Sequence, residues 1–362
     1  MFNLFPRNED VLCIDVGFRN IKVVEVSKEK DSRILVKKFA LAATPSGAIA
    51  NGSIRQTAKV ADVIKKLISQ QKMKAKSAKI IMSGTNIITH IYLINKELNT
   101  DLNTAVMRAV NYHLPFVGND YKVEYKVLET IKKDNKEMCR VFVTAVPYVV
   151  IRSYVEVLKQ LGLKALSIDI PSNSTAKLFS KVKSGNPVTG IKDQEDHPTF
   201  AVIDFGSETT ILNVLENWIL TFNKVLLSGS SNIDEYLAKN LGVGLEEAER
   251  LKITYGLKVP EGVSANECIR TVKSINEYIE GYSKRILACL DEYRKDSNGK
   301  EISKIFITGG GSQLHGFTEY LSSKLQLPVH PIYSVDLQGI IMSDGIEKTK
   351  LVFMANSLGI SI

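Results

Sequence analysis

Two distant stretches of this chain follow the same plan. IDVGFRNIKVVEV near the start and IDFGSETTILNVLEN about 190 residues later each read apolar strand, Asp, one residue, Gly, short turn, apolar strand. One copy alone would suit an ordinary hairpin turn, but the plan met twice at such a separation predicts a duplicated architecture in which two similar domains face each other. It also sets what each copy can do. An Asp at the end of a buried strand, before a tight Gly turn, can hold Mg²⁺, usually through water. The turn itself exposes backbone N–H groups that suit phosphate oxygens.

Size and composition agree with two or three domains. The chain has 362 residues, 44% hydrophobic and 24% charged, ordinary values for a globular protein. Its net charge of +8 is spread along the chain in short groups such as Lys65-Lys66 and Lys132-Lys133. No run reaches the length of a basic tail, so a Lys-rich solvated surface is expected and no nucleic-acid partner. The surplus leaves room for a weak attraction to anionic lipid heads. Cys13, Cys139, Cys268 and Cys289 form no CxxC pair and have no histidine at ligand spacing, which points to reduced thiols and no metal cage. The start, MFNLFPRNED, is too short and polar for a signal peptide, and no run approaches 18 apolar residues. A cytoplasmic protein is expected.

The element pattern places the motifs. Strands are expected at Val11–Val16, Ile21–Ser27 and Ile34–Leu41, then a helix over Thr57–Gln71 and a strand at Lys79–Met82. Apolar residues Val60, Val63, Ile64, Leu67 and Ile68 fall on one face of that helix. From 86 to 167 the order strand, helix, strand, taken twice, predicts a small inserted α+β unit. Pro147 marks its second helix start and Gly162 that helix's stop. Lys181–Pro198 is polar and rich in Gly and Pro, the best linker candidate. Strands are then expected at Phe200–Asp204, Thr209–Leu215 and Trp218–Lys224, and helices at Asn232–Leu241, Leu245–Tyr255 and Ala265–Tyr293. Finally the strand Lys304–Thr308 leads into Gly309-Gly310-Gly311 and a helix near Gln313–Leu325, with a last helix at Lys348–Leu358. Three glycines let a flat ligand or its phosphate approach the backbone, and a helix N-terminus would add positive potential.

Order and spacing join these signals. Strand-D-x-G near the start, strand-D-x-G near residue 200 and strand-GGG near 310 resemble the two phosphate motifs and the adenosine motif of the actin, heat-shock chaperone and sugar-kinase superfamily. The resemblance covers essentially the whole chain. Within that superfamily the inserted unit follows the first domain's fourth strand, a placement similar to FtsA and to the PilM family of type IV pilus assembly. AVMRAVNYHLPFVGNDYKVEYKVLE, VFVTAVPYVVIRSYVEVLKQLGLKALSIDIPSNSTAKLF and LVFMANSLGI look closest to PilM. FtsA would continue past such a close into an amphipathic membrane-binding helix.

The resemblance implies an actin-like, ribonuclease H-like, two-domain ATPase fold: a first domain of 1–85 and 168–198 with the terminal helix 345–362, an inserted subdomain of 86–167, and a second domain of 199–344. It implies ATP (or ADP) with Mg²⁺ between the halves. Asp15 and Gly17 would meet phosphate and metal, with Phe18, Asn20 and Lys22 in the same loop. Asp204, Gly206, Ser207 and Thr209 would form the opposing loop, Asp204 sharing the Mg²⁺ through water. Gly309, Gly310 and Gly311 would line the nucleoside. Glu249 and Lys252, on one helix face, are candidates for ribose and base; the same spacing also suits a solvated charged face.

Two departures bear on turnover. Phe18 stands where the family carries Ser or Thr, and Glu208 where relatives prefer Gly, a charge that would repel a γ-phosphate if it pointed inward. Both imply weak hydrolysis or binding without turnover. Asp169 and Asn173 flank the segment of the attacking-water residue, but Ile170 fills its slot, so no base is assigned. The resemblance further implies a cytoplasmic scaffold at the inner face of the membrane. It would hold the cytoplasmic tail of a PilN-like inner-membrane protein between the inserted subdomain and the first domain by strand addition or groove docking. Other pilus components, including the assembly ATPase, and self-association would follow, with membrane contact indirect. The chain's own Asn3-Leu4-Phe5-Pro6 resembles such a tail, which suggests either self-occupancy of the groove or a loosely docked terminus. The competing classes are an FtsA-like filament former and a sugar-type kinase.

Overall fold

The computed structural model describes residues 9–29, 33–96, 101–133, 136–180, 198–259, 266–337 and 339–362. The expected linker lies outside these residues except for Pro198, and so does the Asn3 to Pro6 segment.

The chain opens with strands β1 (Val11–Val16), β2 (Asn20–Lys28) and β3 (Ile34–Ala43), a short hairpin of β4 (Ile49–Ala50) and β5 (Ser53–Ile54), helix α1 (Thr57–Gln70) and strand β6 (Ser77–Met82). The inserted unit is β7 (Ile88–Asn95), α2 (Leu102–His113), β8 (Tyr121–Lys133), β9 (Lys136–Pro147) and α3 (Tyr148–Gln160). Strand β10 (Lys164–Asp169) and helix α4 (Pro171–Phe179) follow. The second half has β11 (Thr199–Phe205), β12 (Thr210–Glu216), β13 (Ile219–Leu226), α5 (Ser231–Leu241), α6 (Leu245–Tyr255), α7 (Asn266–Asp296), β14 (Lys304–Thr308), α8 (Phe317–Leu325) and β15 (Val329–Pro331). The short strand β16 (Ile340–Met342) and helix α9 (Leu351–Ser361) complete it.

The sequence echo becomes a topological one. One sheet runs β10-β6-β1-β2-β3-β16 and the other β13-β12-β11-β14-β15. Read from opposite ends, the strands match: β1 with β11, β2 with β12, β6 with β14. Asp15 lies opposite Lys22 on β2 and Ile81 on β6, while Asp204 lies opposite Ile211 on β12 and Thr308 on β14. The near-continuous apolar runs of β1 and β11 are buried on both faces, as strands at the centre of a covered sheet must be. Between β12 and β13, Asn217 and Trp218 both take positive φ, 50° and 68°. They form the two-residue hairpin turn that suits strand twist, so β13 starts at Ile219 and not at the expected Trp218.

A ring cluster joins the halves. Phe179, Phe200, Phe306 and Trp218 pack in tilted and edge-to-face pairs at centroid distances of 5.4 to 6.3 Å. Each such buried ring contributes about 1.5–3 kcal/mol by leaving water. Helix α9 is apolar all round and packs into this same core. Its last carbonyls are satisfied by a buried lysine: Lys79 Nζ donates to Ile360 O at 3.0 Å. Burial lowers that ammonium to about 8. Gly359 lets α9 lie directly on α4, because a β-carbon there would overlap the backbone carbonyl of Ser174.

Two further expectations need correcting, and one helix was not expected. The glycine triplet does not open an α-helix: Gly310–Gln313 is a 3-10 turn, and α8 begins only at Phe317. Gly316, at φ +81°, closes the turn against Leu257 and Lys258. The chain rejoins the first sheet at β16, which pairs with β3, a few residues before the expected 345. Helix α4 went unforeseen; its residues Pro171, Ser172, Asn173 and Ser174 favour turns and caps over helix interiors, yet it packs against α9 and is mostly buried.

Candidate nucleotide cleft

All fourteen expected cofactor residues line one cleft of about 530 Å³. The first loop leaves β1 at Asp15, and Gly17 N donates to Asn20 O at 3.1 Å to close the turn. A β-carbon on Gly17 would come within 2.9 Å of Lys22 Nζ, so glycine keeps the lysine inside the loop. Lys22 is paired with Asp15 Oδ2 at 3.0 Å. Asp15 is buried, and its Oδ1 has no hydrogen-bond partner. Leaving a buried acceptor unsatisfied costs about 1–3 kcal/mol, and a cation or its water would satisfy this one.

The second loop mirrors the first. Gly206 N donates to Thr209 O at 3.0 Å, and Ser231 Oγ holds the Ser207 carbonyl at 2.7 Å. Asp204 is buried, and burial raises its carboxyl above the ordinary range, opposed by the hydrogen bond from Asn356 Nδ2 at 3.1 Å. Gly309 takes φ +85°, and any β-carbon would collide with Asp204 Oδ1. A β-carbon on Gly311 would sit 2.7 Å from Phe205 Cδ1. The triplet therefore brings the third loop onto the second Asp-x-Gly loop, through close backbone approach and not through the start of α8.

Helix α6 supplies the remaining wall. Lys252 is buried and bridges Asp234 at 2.7 Å and the Ser230 carbonyl at 3.1 Å. Burial pulls its ammonium below the usual value, and Asp234 opposes that. Glu249 is ion-paired with Arg19 of the first loop, so both α6 candidates are already engaged and a ligand would compete for them. Glu208 also lines the cleft; partial burial and then Glu235 raise its carboxyl above the ordinary range. Asp169 is engaged by Asn173 Nδ2 at 2.9 Å and Lys177 Nζ at 2.8 Å. The start of α4 presents Pro171 to the cleft.

Sequence reasoning missed several residues here. Arg19 lay inside the first motif. Phe353 and Asn356 lay inside LVFMANSLGI, yet nothing local shows that α9 reaches the cleft. Among the described residues no group of three or more His, Cys, Asp or Glu could hold a metal by itself. The unpartnered Oδ1 of buried Asp15 suits Mg²⁺, which keeps several waters and takes one or two carboxylates together with phosphate oxygens. Asp15 and Asp204, one from each half, are the carboxylates that would hold it.

Two like halves, paired Asp-x-Gly loops and a glycine triplet closing one cleft define a protein of the actin-like ATPase fold. The PilM-PilN type IV pilus biogenesis complex matches with a TM-score of 0.80 at 20% identity, over 98% of each chain. EutJ from Carboxydothermus hydrogenoformans matches at 0.54 and 14% identity, over 99% of this chain and 90% of that one. MreB 5 of Spiroplasma citri bound to AMPPNP matches at 0.50 and 11%, over 98% and 96%. The cell division protein FtsA of Neisseria meningitidis serogroup B (strain ATCC BAA-335 / MC58) is 22% identical over 355 residues, 88% of this chain and 82% of that one. The model of the type IV pilus assembly protein PilM family matches residues 13–361, and the chain belongs to that family.

Proposed function

We propose that this protein is a nucleotide-binding scaffold of type IV pilus assembly. It takes ATP or ADP with Mg²⁺ between its halves and the cytoplasmic tail of a PilN-like inner-membrane protein beside the inserted subdomain. The observation that carries the reading is the convergence of all fourteen expected residues on one cleft, in a chain matched by the PilM family model over residues 13–361. The partner half rests on the likeness to a structure described as a PilM-PilN complex. Through that partner the scaffold sits at the inner face of the membrane; no described helix is long and apolar enough to cross one. The assembly ATPase and further copies of the chain are further partners under this reading.

Turnover is slow under this reading. No unengaged carboxylate stands at the start of α4 to orient water, and Phe18 offers phosphate no hydroxyl. Phe18→Ser adds that donor, and a charge-assisted hydrogen bond supports an affinity gain of about tenfold for Mg-ATP by titration calorimetry. An unchanged affinity would place residue 18 away from the phosphates. The partner is tested by immobilising the cytoplasmic tail of a PilN-like protein and passing the full chain over it. Retention is expected, and a tail that recovers no complex overturns the partner assignment.

A further inference from the structure

Helix α4 is the meeting point of two polar arms. One runs into the cleft: Thr175 Oγ1 donates to Asn356 Oδ1 at 2.8 Å, and Asn356 Nδ2 donates to Asp204 Oδ2 at 3.1 Å. The other runs away from it. Asn213 Nδ2 donates to the Ser172 carbonyl at 2.9 Å, Asn223 Nδ2 to Asn213 Oδ1 at 2.7 Å, and Thr89 Oγ1 to Asn223 Oδ1 at 2.6 Å. Thr89 is the second residue of β7, so this arm ends in the inserted subdomain.

The direction of the outer arm is fixed at its inner end. A backbone carbonyl only accepts, so Asn213 must turn its amide nitrogen to Ser172. Its oxygen is then left for Asn223, whose own oxygen takes the Thr89 hydroxyl. Asn213 is fully buried, so no water replaces a lost partner without the strands parting. The two arms share a stiff body, because Gly359 seats α9 on the Ser174 carbonyl with no room for a side chain. The contacts thus run without a break from Asp204 through α9 to α4, and from α4 through β12 and β13 to β7.

We propose that this Asp204-to-Thr89 chain couples the cleft to the inserted subdomain, so that a magnesium nucleotide between the halves changes the stability of β7. The coupling rests on the nucleotide reading above and adds its regulation. Hydrogen–deuterium exchange of the full chain, with and without Mg²⁺ and a non-hydrolysable ATP analogue, tests it. In the parent, residues 15–22 and 204–211 should gain protection, and exchange in 88–95 should change by about fivefold or more, the usual lower bound of site-to-site coupling. Thr89→Val removes only the outer hydroxyl and should leave the cleft protection intact while reducing the 88–95 response below about twofold. Asn213→Ala should do the same from the middle of the arm; if it fails to fold, Thr89→Val alone decides. A response in 88–95 that survives Thr89→Val, or cleft protection with no response there in the parent, overturns the coupling and leaves the nucleotide reading standing. Absence of protection in the cleft itself overturns both.

Discussion

Asp204→Asn is expected to weaken Mg-nucleotide binding by at least about 100-fold, near 2.7 kcal/mol, while leaving the unliganded fold as stable as the parent or more so. The two effects have opposite signs for one reason. Asp204 is buried, and burial raises its carboxyl above the ordinary range. The folded state therefore disfavours the charge that a cation would use. Asparagine keeps an oxygen for the Asn356 amide and removes the charge. Because the folded value is raised, the parent carries its penalty above the unfolded carboxylate value and sheds it as pH falls through that range. The stability advantage of the variant is thus largest near neutrality and vanishes in acid. Titration calorimetry with ATP and Mg²⁺ reads the first effect, and thermal unfolding across pH without ligand reads the second. Binding by the parent and loss in the variant would place the metal at this carboxylate. Equal affinity would exclude it. No binding by the parent would turn the reading from nucleotide switch to plain scaffold.

Gly359→Ala is expected to be among the most destabilising single-methyl additions in the chain, about 4 kcal/mol or more. The added carbon has nowhere to go: the atoms it meets are the backbone carbonyl, carbon and Cα of Ser174, not a flexible side-chain tip. Relief requires α9 to lift from α4, which opens the core around Leu358, Ile360 and Phe179 and strains the Thr175 to Asn356 hydrogen bond. At about 2–4 °C per kcal/mol for domains of this size, the midpoint should fall by roughly 10 °C. Ala355→Gly, on the same helix but without a clash, should cost about 1 kcal/mol plus the lost methyl contact. A midpoint for Gly359→Ala within a few degrees of the parent would mean that α9 and α4 are not locked together.

Much of this was legible in the residues. The Asp-x-Gly turns announce both central strands because the same plan recurs in the same order, and Asp15 and Asp204 occupy like positions in like sheets. What stayed hidden is of two kinds. Three-residue strands such as β15 and β16 hold too few residues to show a period, and the partner of β16 lies about 300 positions back, Ile340 opposite Ile34. Asn356 meets Asp204 across 152 positions, and nothing near either residue signals the other. The glycine triplet was expected to let a ligand approach and to open a helix; the close approach that demands glycine is instead to Asp204 and Phe205, and no α-helix starts there.

The return of residues 340–361 to the first sheet has a consequence for biosynthesis. The bed under α9, built from Val11, Cys13, Val24 and Ile81, is translated early, and its cover arrives late. Until then the nascent first half shows an apolar face and an unpaired β3 edge, both open to chaperones and to neighbouring chains. One face of the second sheet waits for the same cover, because Phe200, Val202, Leu215 and Phe306 share the core of α9. Neither half can therefore finish burying its apolar surface before the last helix arrives.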